Sequence, residues 1–101
     1  MGLLNRRSAS AGQKIEKEIT IINRLGLHAR PAAMFVRIAS RYRAEVWVAK
    51  EGEEVNGKSI MGLMMLAAGP GSKLTVYAEG NDASQALAEL ETLIKRKFDE
   101  E

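Results

Sequence analysis

Three stretches of this chain alternate apolar and polar side chains with a period of two, a pattern that commits a segment to a strand with one buried face. Ile15, Ile19 and Ile21 alternate with Glu16, Glu18 and Thr20; Ala44, Val46 and Val48 with Glu45, Trp47 and Ala49; and Leu74, Val76 and Ala78 with Thr75 and Tyr77. A hairpin at Glu51-Gly52-Glu53 predicts a short further strand around Val55. Between these segments the period changes. Ala32, Phe35, Val36 and Ala39 repeat with helical spacing from Ala29 to about Ser40, with Pro31 in the first turn, where a missing N–H costs nothing. Ile60 to Leu66 is a short Met-rich helix with Ser59 as its N-cap and Gly69-Pro70-Gly71 beyond its end. Ala83, Ala86, Leu87, Leu90 and Ile94 stripe a last helix, opened by a capping box of Asp82 and Gln85. The order is β-α-β-β-α-β-α, and one-faced strands of this kind predict an α+β fold: one antiparallel or mixed sheet with the helices on one side.

The chain's 101 residues suit a single domain with one modest core. The absence of cysteine excludes a disulfide framework, a thiolate metal site and a thiol nucleophile. No apolar run approaches the ~20 residues of a membrane span, and the start lacks a secretory leader, so a cytoplasmic protein is expected. Residues 1–14 are small, polar and basic and read as a disordered extension, with the domain at 15–101. The net charge of +2 is contributed by residues 1–18; from residue 19 there are 11 basic and 11 acidic side chains. Those are unevenly spread. Five arginines (Arg24, Arg30, Arg37, Arg41, Arg43) stand in a stretch with no carboxylate, whereas the last 23 residues carry seven carboxylates against three basic groups. A neutral domain with one basic face fits an acidic protein partner or a phosphate better than a nucleic acid.

His28 is the single histidine, in Asn23-Arg24-Leu25-Gly26-Leu27-His28-Ala29-Arg30-Pro31-Ala32. It follows a turn from Asn23 to Leu27 and falls at the N-cap of the first helix, where first-turn N–H groups have no intrahelical partner and favour an anion. Arg30 adds a guanidinium able to bind phosphate oxygens. An imidazole can present an unprotonated nitrogen to phosphorus near neutral pH, so these parts suffice to form a phosphohistidine. On spacing alone, a solvent-exposed capping histidine without a role is the commoner outcome. A metal site lacks further ligands: there is no second His, no Cys, and no carboxylate from residue 19 to 44.

Ser59, in Gly57-Lys58-Ser59-Ile60-Met61-Gly62-Leu63-Met64, is by physics a plain N-cap. As a phosphorylation site it would suit the helix dipole and repel an acidic partner. Gly52 to Ser59 also matches GxxxxGKS, but Glu53 and Glu54 would lie inside the triphosphate cradle of a chain too short for a nucleotide-binding sheet, so that match is rejected. Met-rich stripes are more often core than interface, but a helix of about seven residues carrying Ile60, Met61, Met64 and Met65 cannot bury every side, and an exposed part would be a docking patch. Trp47, on the polar side of its strand, is either exposed or covered by the N-terminal tail.

Gly26-Leu27-His28-Ala29-Arg30-Pro31-Ala32 resembles the active-site signature of the HPr family of histidine-containing phosphocarriers of the bacterial phosphotransferase system. Lys58 to Met64 is similar to the family's regulatory-serine region, and the two motifs lie about 30 residues apart, as in the family. The resemblance runs from about residue 16 to the end. It implies an open-faced β-sandwich, a four-stranded antiparallel sheet covered on one face by three helices. It implies that His28 takes a phosphoryl group on Nδ1 from enzyme I and passes it to an enzyme IIA domain, with Arg30 and the first-turn amides of Ala29 and Arg30 holding the phosphate. Ile60, Met61 and Met64, with Arg37, would dock both partners. Ser59 would be the target of an HPr kinase/phosphorylase. The protein would be a monomer and a stoichiometric carrier rather than an enzyme, with no cofactor, metal, nucleic acid or membrane partner.

Leu25 stands where the sugar-transport pattern often has a small polar side chain. Asn23-Arg24-Leu25-Gly26 and the acidic end Phe98-Asp99-Glu100-Glu101 look instead like the nitrogen-related paralogue NPr, while the Ser59 region looks like kinase-regulated HPr proteins. The alternative function is therefore an NPr-type regulatory phosphorelay uncoupled from sugar transport. A nucleic-acid module using the arginine face has only Trp47 and Tyr77 for base stacking, which is few.

Overall fold

The computed structural model describes residues 14–100. They form β1 (Lys14–Thr20), α1 (Ala29–Ala39), β2 (Glu45–Lys50), β3 (Glu53–Asn56), α2 (Ile60–Met65), β4 (Lys73–Glu79) and α3 (Ala83–Lys95), then one tight turn at Lys97–Asp99. The basic extension expected at residues 1–14 lies outside the described residues except for Lys14, which opens β1.

The four strands pair antiparallel in the order β1-β4-β2-β3. The alternation read from the sequence sends Ile19, Val46, Val48, Leu74, Val76 and Ala78 to one face, where they are buried. They meet Phe35 and Ala39 of α1, Leu63 of α2 and Leu90 and Ile94 of α3, so the helices lie on a single side. Each such large apolar side chain contributes about 1.5–3 kcal/mol by leaving water. On the other face Trp47 pairs with Tyr77 across β2 and β4. The Lys14 ammonium lies 5.1 Å from the centre of each ring, so the half-buried Trp47 is covered by the first residue of β1. The β2–β3 hairpin turns on Glu51 (φ 50°) and Gly52 (φ 85°), two left-handed residues as a two-residue hairpin loop requires.

The capping box expected at the last helix does not form. Asp82 occupies the N-cap position, but its φ of −106° and ψ of 22° are not the extended backbone that aims a side chain at the first-turn amides. Its carboxylate instead accepts from the amides of Arg43 (3.0 Å) and Ala44 (2.9 Å), which tethers α3 to the entry of β2. The Arg43 amide above all holds Asp82 below the usual carboxylate range, against the desolvation that opposes it. Ser59 does cap α2, accepting from the Gly62 amide at 2.9 Å.

One glycine is needed to place the turn before α1. Gly26 has φ +72°, and a Cβ there would stand 2.5 Å from the carbonyl oxygen of Ala68, which accepts from the Leu27 amide at 2.8 Å. Gly26→Ala is therefore expected to destabilise the protein by about 2–4 kcal/mol through left-handed strain plus overpacking. Urea unfolding measures it, and a loss below about 0.5 kcal/mol would show that the turn relaxes freely.

Candidate functional site

His28 is the N-cap of α1, with extended backbone (φ −87°, ψ −168°) and no side-chain capping bond. Its carbonyl accepts the Ala32 amide at 2.9 Å, the first intrahelical bond, so the amides of Ala29 and Arg30 precede the hydrogen-bonded ladder and Pro31 has none to offer. No acidic residue stands in the first turn, which leaves the positive end of the helix dipole uncompensated from within α1. The imidazole is 40% exposed, and Arg30, two residues on, is exposed in the first turn of α1. A half-exposed imidazole at a helix start, with the Ala29 and Arg30 amides ahead of the helical ladder and a guanidinium in the first turn, has the parts to accept a phosphoryl group and stabilise its charge.

The apolar patch adjoins this histidine. His28 and Met64 line one shallow notch of about 290 Å³ with Leu25, Leu27, Ala67 and Gly69. Ile60 is 42%, Met61 73% and Met64 44% exposed on α2, and Leu25 is 59% exposed on the turn. Arg37 is exposed in the last turn of α1, nine residues from His28 and so about 13 Å along the helix. Ser59 lies at the opposite end of α2 from Met64, with its hydroxyl on the Gly62 amide. A larger concavity, about 620 Å³, lies on the open face of the sheet among Glu18, Lys50, Lys73 and Tyr77; His28 is not among its walls. Among the described residues no helix is long and apolar enough to cross a membrane, and no cluster of His, Asp and Glu could hold a metal ion.

Two residues to which the sequence assigned no role, Glu100 and Asn23, meet in the turn before His28. The Glu100 carboxylate accepts from the amide of Arg24 at 2.7 Å, from Asn23 Nδ2 at 3.1 Å, and from the Leu25 amide at 3.4 Å. Its Oε2 is 3.8 Å from His28 Nε2. Asn23 is fully buried and also donates to the Gly26 carbonyl at 2.8 Å, so it ties the turn together. The acidic chain end was the only sequence signal, and nothing local said where it goes. Desolvation works to raise the Glu100 pKa, but the Asn23, Arg24 and Leu25 donors outweigh it and hold the carboxyl below its ordinary 4.5. A carboxyl depressed on folding stabilises the clasp above its ordinary value and loses that contribution as pH falls through the lower one. Acidification through that depressed value, below the ordinary carboxylate range, is therefore expected to release the tail. Amide resonances of Arg24 and Leu25 report it, and positions constant down to the onset of unfolding would contradict the clasp.

Compared with known proteins, the chain matches the family described as "PTS HPr component phosphorylation site" over residues 15–96. It is 55% identical over 84 residues to the phosphocarrier protein HPr of Pseudomonas aeruginosa, covering 82% of this chain and 93% of that one. It is 46% identical over 83 residues to the HPr-like protein Crh of Halalkalibacterium halodurans, covering 82% and 99%. Among solved structures, HPr-C-His from Thermoanaerobacter tengcongensis superposes with a TM-score of 0.83 at 47% identity, covering 86% of this chain and 98% of that one.

Proposed function

The chain belongs to the HPr family, the phosphocarriers of the bacterial phosphotransferase system, and from that premise we propose that His28 is its phosphoryl acceptor. The observation that carries this is the half-exposed imidazole at the N-cap of α1, with Arg30 exposed in the first turn and an exposed apolar patch adjoining it. Phosphorylated enzyme I presents the phosphoryl group, and Nδ1 of His28 attacks phosphorus as the donor's P–N bond breaks. Charge on the transferring oxygens falls to the amides of Ala29 and Arg30 and to the Arg30 guanidinium, so positioning and electrostatics do the work. An enzyme IIA domain then takes the group by the same chemistry in reverse. Ile60, Met61 and Met64 form the docking surface for both partners, with Arg37 at its rim, and the protein acts as a monomeric carrier in the cytoplasm. Intact-mass analysis after incubation with phosphoenolpyruvate and a bacterial enzyme I tests this. One acid-labile phosphoryl group is expected, and no gain with the cognate enzyme I would overturn it.

Ser59 is the regulatory target of an HPr kinase/phosphorylase in this reading. Its hydroxyl caps α2 from the outside, so a carboxylate in its place still accepts the Gly62 amide and keeps the helix. The added charge stands beside Ile60 and Met61, where a docking partner must approach. Ser59→Asp is expected to slow phosphorylation by enzyme I about tenfold, equivalent to ~1.4 kcal/mol; stopped-flow rates equal to wild type would remove the regulatory role.

One contact favours the regulatory alternative. Glu100, from the acidic end that resembles NPr, bonds to Asn23 and Arg24 of the other NPr-like segment, beside the histidine. An NPr-type relay would charge His28 in the same way and give nothing to a sugar permease. Phosphoryl transfer to a nitrogen-type but not a sugar-type enzyme IIA domain would decide for it.

A further inference from the structure

Resting on the carrier reading, we propose that Glu100 is a positioning residue for His28: its carboxylate faces Nε2, keeps the ring proton there and leaves Nδ1 free as the nucleophile. The 3.8 Å between Glu100 Oε2 and His28 Nε2 is an ion-pair distance rather than a hydrogen bond, and a shift of about 1 Å closes it. Glu100 is held for this purpose by more than one group. The Arg24 and Leu25 amides and Asn23 Nδ2 grip its two oxygens, and its side chain is only 14% exposed. The neighbouring acid, Asp99, is taken by the Arg96 guanidinium at 3.0 Å, so among the described residues Glu100 is the carboxylate turned to the ring.

The chain goes to some length to bring it there. Lys97, Phe98 and Asp99 have φ of 60°, 53° and 57°, three successive left-handed residues without a glycine. Such a turn is strained for L-residues and persists only where the surroundings over-determine it. Phe98 is fully buried in the core and pins the turn, and the reversal delivers Glu100 onto the turn that precedes His28.

The transfer step shows what the carboxylate does. The Nδ1 lone pair forms the Nδ1–P bond while the P–N bond of phosphorylated enzyme I breaks, its electron pair returning to the donor nitrogen. The proton on Nε2 stays where it is, so the His28 ring passes from neutral to cationic, with the charge shared between its nitrogens. An anion already fixed at Nε2 meets that charge only as it develops, and so favours the transition state over the resting ring.

The test uses the full chain labelled with ¹⁵N in the imidazole, as wild type, as Glu100→Gln, and ending at Asp99. Gln keeps a carbonyl oxygen for the Arg24 and Leu25 amides and removes the charge. In wild type Nε2 should resonate as the protonated nitrogen and Nδ1 as the bare one, and both variants should move the pair toward a tautomer mixture. Single-turnover transfer from phosphorylated enzyme I should slow about fivefold to thirtyfold in Glu100→Gln. Ring resonances unchanged in both variants, or an unchanged transfer rate in Glu100→Gln, would overturn the role. Failure of wild type to take any phosphoryl group would instead overturn the carrier reading, and the ring resonances, recorded without enzyme I, separate the two failures.

Discussion

His28→Ala is expected to abolish phosphoryl acceptance and leave the fold in place. The imidazole makes no capping bond, and the intrahelical bond from Ala32 is to the His28 carbonyl, which alanine retains. A half-exposed side chain that makes no capping bond should cost less than about 1 kcal/mol when truncated. The activity loss is complete because the described residues offer no second imidazole and the chain has no cysteine to act as nucleophile. Intact mass after incubation with enzyme I and a thermal melt read both halves. A variant that still gains an acid-labile phosphate would move the acceptor elsewhere, and one that unfolds would make His28 structural.

Phe98→Ala should produce the largest loss of stability at any position near the site, about 3–5 kcal/mol, because a fully buried aromatic side chain leaves a cavity. Truncation does not relieve the strain, since alanine at φ 53° is no better placed than phenylalanine. The anchor of the left-handed turn is lost, so the tail should leave the Asn23–Leu25 turn even under conditions where the domain stays folded. Urea unfolding gives the first effect, and loss of amide protection at Arg24 and Leu25 gives the second. A destabilisation below about 1 kcal/mol would mean that Phe98 does not belong to the core. Intact protection at those amides would mean that Glu100 docks without it.

The strands and helices were legible because their signals are local. Alternation at two residues and stripes at three and four describe contacts that form wherever the segment sits, and Pro31 in a first turn and Ser59 at an N-cap are satisfied within their own helix. His28 at the N-cap and Arg30 in the first turn were placed by an equally local signal, the start of a helix. Ile38 and Phe98 were not marked for the core, although both are buried. Asp82 illustrates the limit most clearly. Its spacing to Gln85 reads as a capping box, yet the amides of Arg43 and Ala44 hold its carboxylate from 39 and 38 residues away.

The amino-acid order by itself therefore determined the elements, their buried faces and the identity of the histidine with its arginine, since each follows from interactions within a few residues. Which groups meet that histidine was decided only in three dimensions. Glu100 reaches Arg24 across 76 positions of the chain, and no periodicity carries information over that distance. Phe98 is buried in the core within a left-handed turn, Asp99 is held by Arg96, and Glu100, just past the turn, meets the donors of the Asn23–Leu25 loop.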